Sequence, residues 1–315
     1  MSLLNPEEVR EASVERAVGM RGAEAGAAIR TTSLWRDAFY RFVANRGAVV
    51  AGILFLLLCA YVVIVPWVSP YDPYEVNFAD AYLLPTWSHP LGTDQFGRDL
   101  MTRVALGGRV SIGIGFVGTF VILGIGMLYG AISGFVGGKL DNAMMRFLDA
   151  VYGLPYLPFA IITLQVFGVV TFWTMVIALT IVSWLTAARV VRGQIITLKE
   201  NDYVRAARAV GARWYRILGR HLLPNTLGVL IVFVFLELPG VILGEAFLSF
   251  IGLGINPPKA SWGSLAEDGR SVFLGHPWII VIPSVAIGYL ILCANFIADG
   301  LRDALDPRTR ETREA

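Results

Sequence analysis

Two short motifs in this chain are typical of nucleotide sites, and its histidines are potential metal ligands. Residues 113–118 spell G-x-G-x-x-G, a turn that lets a backbone approach a pyrophosphate, but they lie in an apolar run with no strand pattern before them. Gly138-Lys139 lacks the earlier glycine of a phosphate-binding loop. The histidines are far apart in sequence: His89, His221 and His276. The sequence therefore predicts no catalytic residue, bound cofactor or metal site in this chain.

Two glutamates interrupt the apolar stretch 222–258. If this stretch spans a bilayer, an ionisable group within it is costly and usually faces protein or a water-filled cavity. For Glu237 the alternatives are a lining or gating role in a translocation path, a buried pair with an arginine, and a position near the interface. Glu245 is a second path candidate, predicted nearer the outside, where it is a structural cap or a contact for an external protein. Pro239 beside Gly240 indicates a bent helix between them.

A basic amphipathic stretch, 192–224, is the most distinctive polar part of the chain. Gly211 is expected to end a first helix, and Pro224 to mark the start of the next apolar run. Ala206 and Ala207 are small, which favours a helix that fits into a groove of a partner protein. The alternative is a solvated basic loop on the inner leaflet of a membrane.

The composition indicates where these groups must be placed. The chain has 315 residues, of which 56% are hydrophobic and 16% charged, whereas about 25% are charged in an average soluble domain. A cytosolic enzyme and a disordered chain are therefore excluded. The net charge of +2 argues against a nucleic-acid binder, and two cysteines, each in an apolar run, argue against a disulfide framework.

Long runs without charge predict an all-α integral membrane protein. One run, 150–188, is too long for a single helix, and Gly168 near its middle is the expected turn between two. The predicted transmembrane helices are six: 47–68, 110–134, 146–167, 171–190, 226–251 and 278–298. In the second of these, glycines at 126, 130, 134 and 138 put small residues on one face and predict close packing with a neighbouring helix.

The distribution of Lys and Arg predicts the orientation. With both termini inside, 21 of the 26 basic residues are cytoplasmic and five are outside. The N-terminal segment has no apolar signal-peptide region and is expected to include an interfacial helix. The predicted organisation is a cytoplasmic segment 1–46, a first transmembrane helix 47–68, an extracytoplasmic segment 69–109, a core 110–298 with five transmembrane helices and the loop 192–224, and a cytoplasmic tail 299–315.

The basic stretch resembles the signature loop of membrane subunits of bacterial ABC importers, usually written E-A-A-x3-G-x9-I-x-L-P. His221 stands where isoleucine is usual, a change associated with the peptide-transporting branch, and Arg205 stands where glutamate is usual. The residues that the resemblance assigns to coupling are Arg205, Ala206, Ala207, Arg208, Gly211, His221, Leu223 and Pro224.

Other segments, 91–111, 245–254, 257–263 and 299–308, resemble dipeptide/oligopeptide-type permeases in the same order. The resemblance covers about 35–308 and implies a type I ABC importer permease-like fold in the bacterial cytoplasmic membrane. It also implies partners: a second homologous permease subunit, two cytosolic ATP-binding subunits that use ATP and Mg, an extracytoplasmic substrate-binding protein, and membrane lipid. The expected cargo is a di- or oligopeptide; nickel chelates or glutathione on the same type of permease, and a secondary transporter, are the alternatives.

Overall fold

The computed structural model describes residues 34–305, and this part of the chain is built of helices without a β-strand. Short π-helical turns, Leu218–Leu222 and Ser249–Leu253, precede and follow α10. The helices in chain order are α1 Leu34–Ala44, α2 Arg46–Val68, α3 Leu100–Val136, α4 Gly138–Tyr152, α5 Tyr156–Phe167, α6 Phe172–Thr180, α7 Trp184–Leu198, α8 Asp202–Ala209, α9 Trp214–Ile217, α10 Leu223–Leu248, α11 Trp262–Arg270 and α12 Trp278–Leu305.

Four helical runs are long and apolar enough to cross a membrane without a sharp break: α2, α3, Trp214–Leu253 and α12. Each begins or continues beyond the span predicted from charge-free runs. The second begins at Leu100 rather than near 110, because Asp99 caps it by accepting a hydrogen bond from the Thr102 N–H at 2.8 Å. The first turns of this helix can carry polar residues because they lie before the charge-free run that begins at residue 110.

The third and fourth predicted spans are bent pairs of helices. α4 and α5 meet at 84°, and α6 and α7 at 55°. The helix predicted over 146–167 is therefore not continuous, because Pro155, which has no N–H to donate, lies in the break between α4 and α5. Gly168 ends α5 with φ 71°, which confirms the predicted turn at this residue.

α3 and α7 pack in parallel along a stripe of small residues. Both helices run in the same direction, so the chain must cross back to the other end of the bundle between them. We therefore interpret α4 with α5 as one crossing and α6 with α7 as the next. Glycine allows the approach: a Cβ on Gly126 would lie 2.5 Å from Ala187 Cβ. The contacts follow the same order along both parts of the chain, which shows the parallel direction: Gly113 with Phe172, Gly126 with Ala187, Gly130 with Ala188 and Gly134 with Ile195. The packing prediction is confirmed for Gly126, Gly130 and Gly134 and wrong for Gly138, which faces open space at φ 62°.

The bundle has two ends. We call the end with residues 69–99 the upper end, and the end with residues 199–213, where Lys199 Nζ donates to Gly134 O at 2.9 Å, the lower end. Both described termini lie at the lower end, because Phe42 of α1 packs near Gly300 of α12 and Leu305 lies near Gly228. The helix predicted in the N-terminal segment is formed as α1 and packs against α12, and its interfacial position stays a prediction. The predicted segments before residue 34 and after residue 305 lie outside the described residues.

Candidate functional site

Helix α8 at the lower end is held to the bundle by one buried side chain. Val204 is 0% exposed and belongs to the same apolar cluster as Ile195 of α7 and Ile217 of α9. The rest of the helix surface is mostly exposed. An apolar anchor under an exposed polar face fixes the orientation of the helix while leaving that face free.

The structure separates the two alanines that the sequence placed together. Ala206 is exposed, whereas Ala207 is half-buried and packs against the apolar core of its own chain, as Ala212 does. A groove in another protein can therefore receive Ala206 but not Ala207. The other predicted coupling residues divide in the same way: Arg205, Arg208, Gly211 and Pro224 are exposed, and His221 and Leu223 are half-buried.

Gly211 ends α8, as its position in the sequence predicts. Its φ is 79°, in the left-handed region that favours glycine. The Gly211 N–H donates to Arg208 O at 2.9 Å and the Ala212 N–H donates to Ala207 O at 3.0 Å, so two carbonyls at the helix end are satisfied. The chain then reverses into α9. Pro224 is the second residue of α10, which confirms its predicted place at the start of the apolar helix. α9 and the π-helical turn Leu218–Leu222 run into α10 without a sharp break.

Contacts from three sides tie the lower end of α3 to the segment around α8. The Arg208 guanidinium lies 5.5 Å from the centre of the Phe135 ring, and the Trp214 ring lies 6.4 Å from it. Lys199 binds Gly134 O. These links at Gly134 and Phe135 were not predicted, since an apolar residue at the end of a span gives no sequence signal for a cation neighbour. The segment around α8 is therefore in direct contact with the lower end of α3.

An ion pair also fixes α4 against α7. Arg192 binds Asp141 through Nε and Nη2, each at 2.6 Å, and Ser133 Oγ donates to the same carboxylate at 2.5 Å. A second pair, Arg189 with Asp149 at 2.8 Å, is more exposed. The spacing of eight residues between the aspartates, close to two helical turns, indicates that they share a side of α4 but not which arginines they meet.

The electrostatic character of the lower end is basic. Arg205 meets Glu200 at 3.5 Å, but both side chains are about two-thirds exposed, so this pair contributes little. Arg216 and Arg220 form no ion pair with any residue in 34–305. The exposed surface around α8 and α9 therefore suits an acidic partner.

Glu237 lies half-buried on α10, and its carboxylate makes no hydrogen bond or ion pair within the described part of the chain. The alternative of a buried pair with an arginine is thus wrong for residues 34–305. Tyr156 of α5 is close enough to interact with it electrostatically. Beside Glu237, α10 and the π-helical turn after it present a stripe of exposed small or apolar residues: Leu236, Gly240, Leu243 and Phe247 of α10, and Ile251 of the turn. The helix continues through Pro239.

Glu245, two turns further along α10, is 1% exposed and accepts hydrogen bonds from Ser111 Oγ and Ser249 Oγ. Of the two alternatives for Glu245, this burial and these hydrogen bonds favour a structural role over a contact with an external protein. The two glutamates are not brought together. No group of three or more His, Cys, Asp and Glu side chains that suits a metal ion occurs among residues 34–305.

Family models match most of the chain. Residues 126–311 match the model described as binding-protein-dependent transport system inner membrane component. Residues 33–85 match the N-terminal TM domain of oligopeptide transport permease C. The two matches together include α1 and the lower-end segment 199–213.

Relatives and one solved structure agree with these matches. The oligopeptide transport system permease protein OppC of Haemophilus influenzae is 42% identical, covering 88% of this chain and 90% of that protein. The dipeptide transport system permease protein DppC of Bacillus subtilis is 38% identical, covering 98% and 92%. A chain of the MetNI methionine ABC transporter, in an inward facing conformation, superposes with a TM-score of 0.51 at 18% identity, covering 65% of this chain and 98% of that chain. That likeness shows a shared fold.

Proposed function

The chain belongs to the family of binding-protein-dependent transport system inner membrane components, and from this premise we propose that it is the permease subunit of an ATP-driven importer of di- or oligopeptides. The observation that carries the proposal is the identity of about two residues in five to an oligopeptide permease over nine-tenths of both chains. A relative that carries dipeptides covers almost the whole chain. A multi-pass membrane subunit of this kind works with other subunits.

The lower end is the proposed site of coupling to two cytosolic ATP-binding subunits, which hold the ATP and Mg. Its exposed face combines the basic Arg205 with the small side chain of Ala206. Such a face fits a groove that is lined with acidic side chains. Val204 makes α8 rigid against the bundle, and Arg208 and Lys199 link it to α3. Closure of the ATP-binding subunits is thereby converted into movement of packed helices, which switch between discrete arrangements.

The proposed translocation path runs along α10. Its exposed stripe leaves an apolar helix face that no residue in 34–305 covers, and a second, homologous permease subunit supplies the opposite wall. Glu237, which has no partner among the described residues, borders the stripe and faces the path or its gate. The upper end, with residues 69–99, receives the extracytoplasmic substrate-binding protein, and the lower end with both described termini faces the cytoplasm.

The test is transport by the purified complex. The chain is expressed with its neighbouring permease and ATP-binding subunits, purified through a tag on this chain, and reconstituted in lipid vesicles with the binding protein. We expect two ATP-binding chains per complex and ATP-dependent accumulation of a labelled di- or oligopeptide. Accumulation without ATP, driven by an ion gradient, would identify a secondary transporter and contradict the proposal.

A further inference from the structure

A buried carboxyl joins two helices near the upper end. Ser111 Oγ of α3 donates to Glu245 Oε2 at 2.9 Å, and Ser249 Oγ, in the π-helical turn after α10, donates to Oε1 at 2.7 Å. All three side chains are almost completely buried. Since burial of a carboxyl group costs free energy, a position this enclosed is expected to have a specific role.

Both serines also accept a hydrogen bond from the start of α11. The Trp262 N–H donates to Ser111 Oγ at 3.0 Å, and Ser261 Oγ donates to Ser249 Oγ at 3.4 Å. Each carboxyl oxygen of Glu245 is therefore connected to the start of α11 through one serine hydroxyl, which accepts a hydrogen bond from α11 and donates one to Glu245. Two acceptor oxygens complete this arrangement, whereas the NH₂ of an amide would face a hydroxyl that already donates.

The body of α11 is pressed against three other helices. Trp262, fully buried, donates from Nε1 to Val104 O of α3 at 2.8 Å. A Cβ on Gly263 would lie 2.7 Å from Ala246 Cα of α10, and one on Gly269 would lie 2.6 Å from Ile280 N of α12. Backbones at this distance pack α11 closely against α10 and α12.

The last turn of α11 is linked to the segment 69–99 at the upper end of the bundle. Asp268 Oδ2 lies 3.9 Å from Arg98 Nη2 and 3.6 Å from Arg103 Nη2. Both arginines also bind Asp94 Oδ2, at 2.7 and 3.3 Å, in the segment 69–99. α11 is thus attached to α10 near its first residue and to the upper surface near its last.

We propose that Glu245 is a positioning residue that makes α11 follow α10, so that a movement of α10 is carried through α11 and Asp268 to the upper surface. The inference rests on the proposed function, because only a transport cycle requires α10 to move. Glu245 acts through Ser111 and Ser249 and does not touch the transported molecule. The linkage gives a route between α10 and the surface 69–99 that is entirely within this chain.

The experiment measures the mobility of α11 directly. A nitroxide label is attached to a cysteine in place of the exposed Arg270, with Cys59 and Cys293 replaced by alanine, in the assembled transporter in lipid vesicles. We expect an immobile spectrum in the parent and a mobile component in Glu245→Gln, Ser111→Ala and Ser249→Ala. Uptake per ATP hydrolysed is expected to fall about tenfold or more in Glu245→Gln, since one of the two acceptor oxygens is lost.

The matched control is Ser284→Ala, which removes a hydroxyl that donates only to Ile280 O of its own helix, at 2.7 Å. It should leave the spectrum and the coupling ratio unchanged. Unchanged spectra in assembled Ser111→Ala and Ser249→Ala would overturn the proposal, even if Glu245→Gln fails to assemble. The label is read without substrate, so loosening of α11 in a complex that takes up no peptide would refute the proposed function and leave the positioning role intact.

Discussion

Arg192 holds Asp141 at two points, Nε to Oδ1 and Nη2 to Oδ2, each at 2.6 Å, across the contact between α7 and α4. The aspartate side chain is 11% exposed, so removal of the guanidinium leaves a nearly buried carboxylate without its partner. The pair fixes the first half of a bent span against the parallel pair α3 and α7, on which the rest of the bundle is built.

Replacement of Arg192 by alanine is expected to lower the free energy of unfolding by roughly 2–5 kcal/mol, because a nearly buried charge is left unpaired. Arg189→Ala is the matched control. Its partner Asp149 is 68% exposed, and loss of an exposed pair is worth up to about 1 kcal/mol. Thermal unfolding of the two variants in detergent measures the difference. Equal losses of stability in both would show that the Arg192–Asp141 pair contributes no more than the exposed pair.

Gly130→Ala tests the parallel packing of α3 on α7. An added Cβ would overlap the Ala188 carbonyl oxygen, so the helices must separate, at a cost of about 1–3 kcal/mol. Gly124→Ala, in the same helix with open space around it, is the control and gains up to about 1 kcal/mol from helix propensity. A fluorescence-detected melting curve for each variant decides the matter. A stabilised Gly130→Ala variant would exclude the close approach.

Ala206→Trp tests the proposed contact with the ATP-binding subunits. Ala206 is exposed, so the permease itself should stay folded and still bind its partner permease. A bulky side chain in a packed interface costs about 1–3 kcal/mol, enough to weaken attachment of the ATP-binding subunits five- to hundredfold. Co-purification from tagged permease measures this.

Ala207→Trp is its counterpart, because Ala207 packs on the core of its own chain. This variant should lose permease stability first. If Ala206→Trp retains full attachment and full peptide-stimulated ATP hydrolysis, the lower-end surface is a solvated face and not a docking site.

Glu237→Gln tests the path. The carboxylate has no bonded partner within residues 34–305 to lose, so assembly should be intact, whereas uptake or its dependence on pH should change. Glu267→Gln on α11, whose carboxylate meets only the exposed Arg270 at 3.5 Å, is the control. Uptake is measured at several external pH values, and identical profiles for the two variants and the parent would place Glu237 outside the path.

Cysteine labelling tests the orientation. Single cysteines at Ser88 and Ser271, both exposed at the upper end, should react with an impermeant maleimide added to intact cells. One at Thr197, exposed at the lower end, should react only after the membrane is opened. The background again has Cys59 and Cys293 replaced by alanine. Reaction at Thr197 alone in intact cells would invert the topology.

The sequence by itself determined the class of the protein and most of its elements. Because a bilayer core excludes charge, runs without charge predict six crossings, and the structure has four unbroken candidate spans and two bent pairs at these places. Gly168 and Gly211 were predictable as helix ends because both need a left-handed backbone, which glycine adopts at little cost. The four-residue spacing of glycines predicted a close contact with another helix but did not identify that helix.

Only the tertiary structure decided which residues face each other. Ala206 and Ala207 are identical in sequence terms, and their different exposure depends on where Val204 anchors α8. Glu237 and Glu245 both look like charges at membrane depth, yet one has no bonded partner among the described residues and the other binds serines of two helices. A hydrogen bond between Ser111 and Glu245 joins residues more than a hundred positions apart, and local periodicity specifies which face a side chain occupies but not what meets it across the bundle.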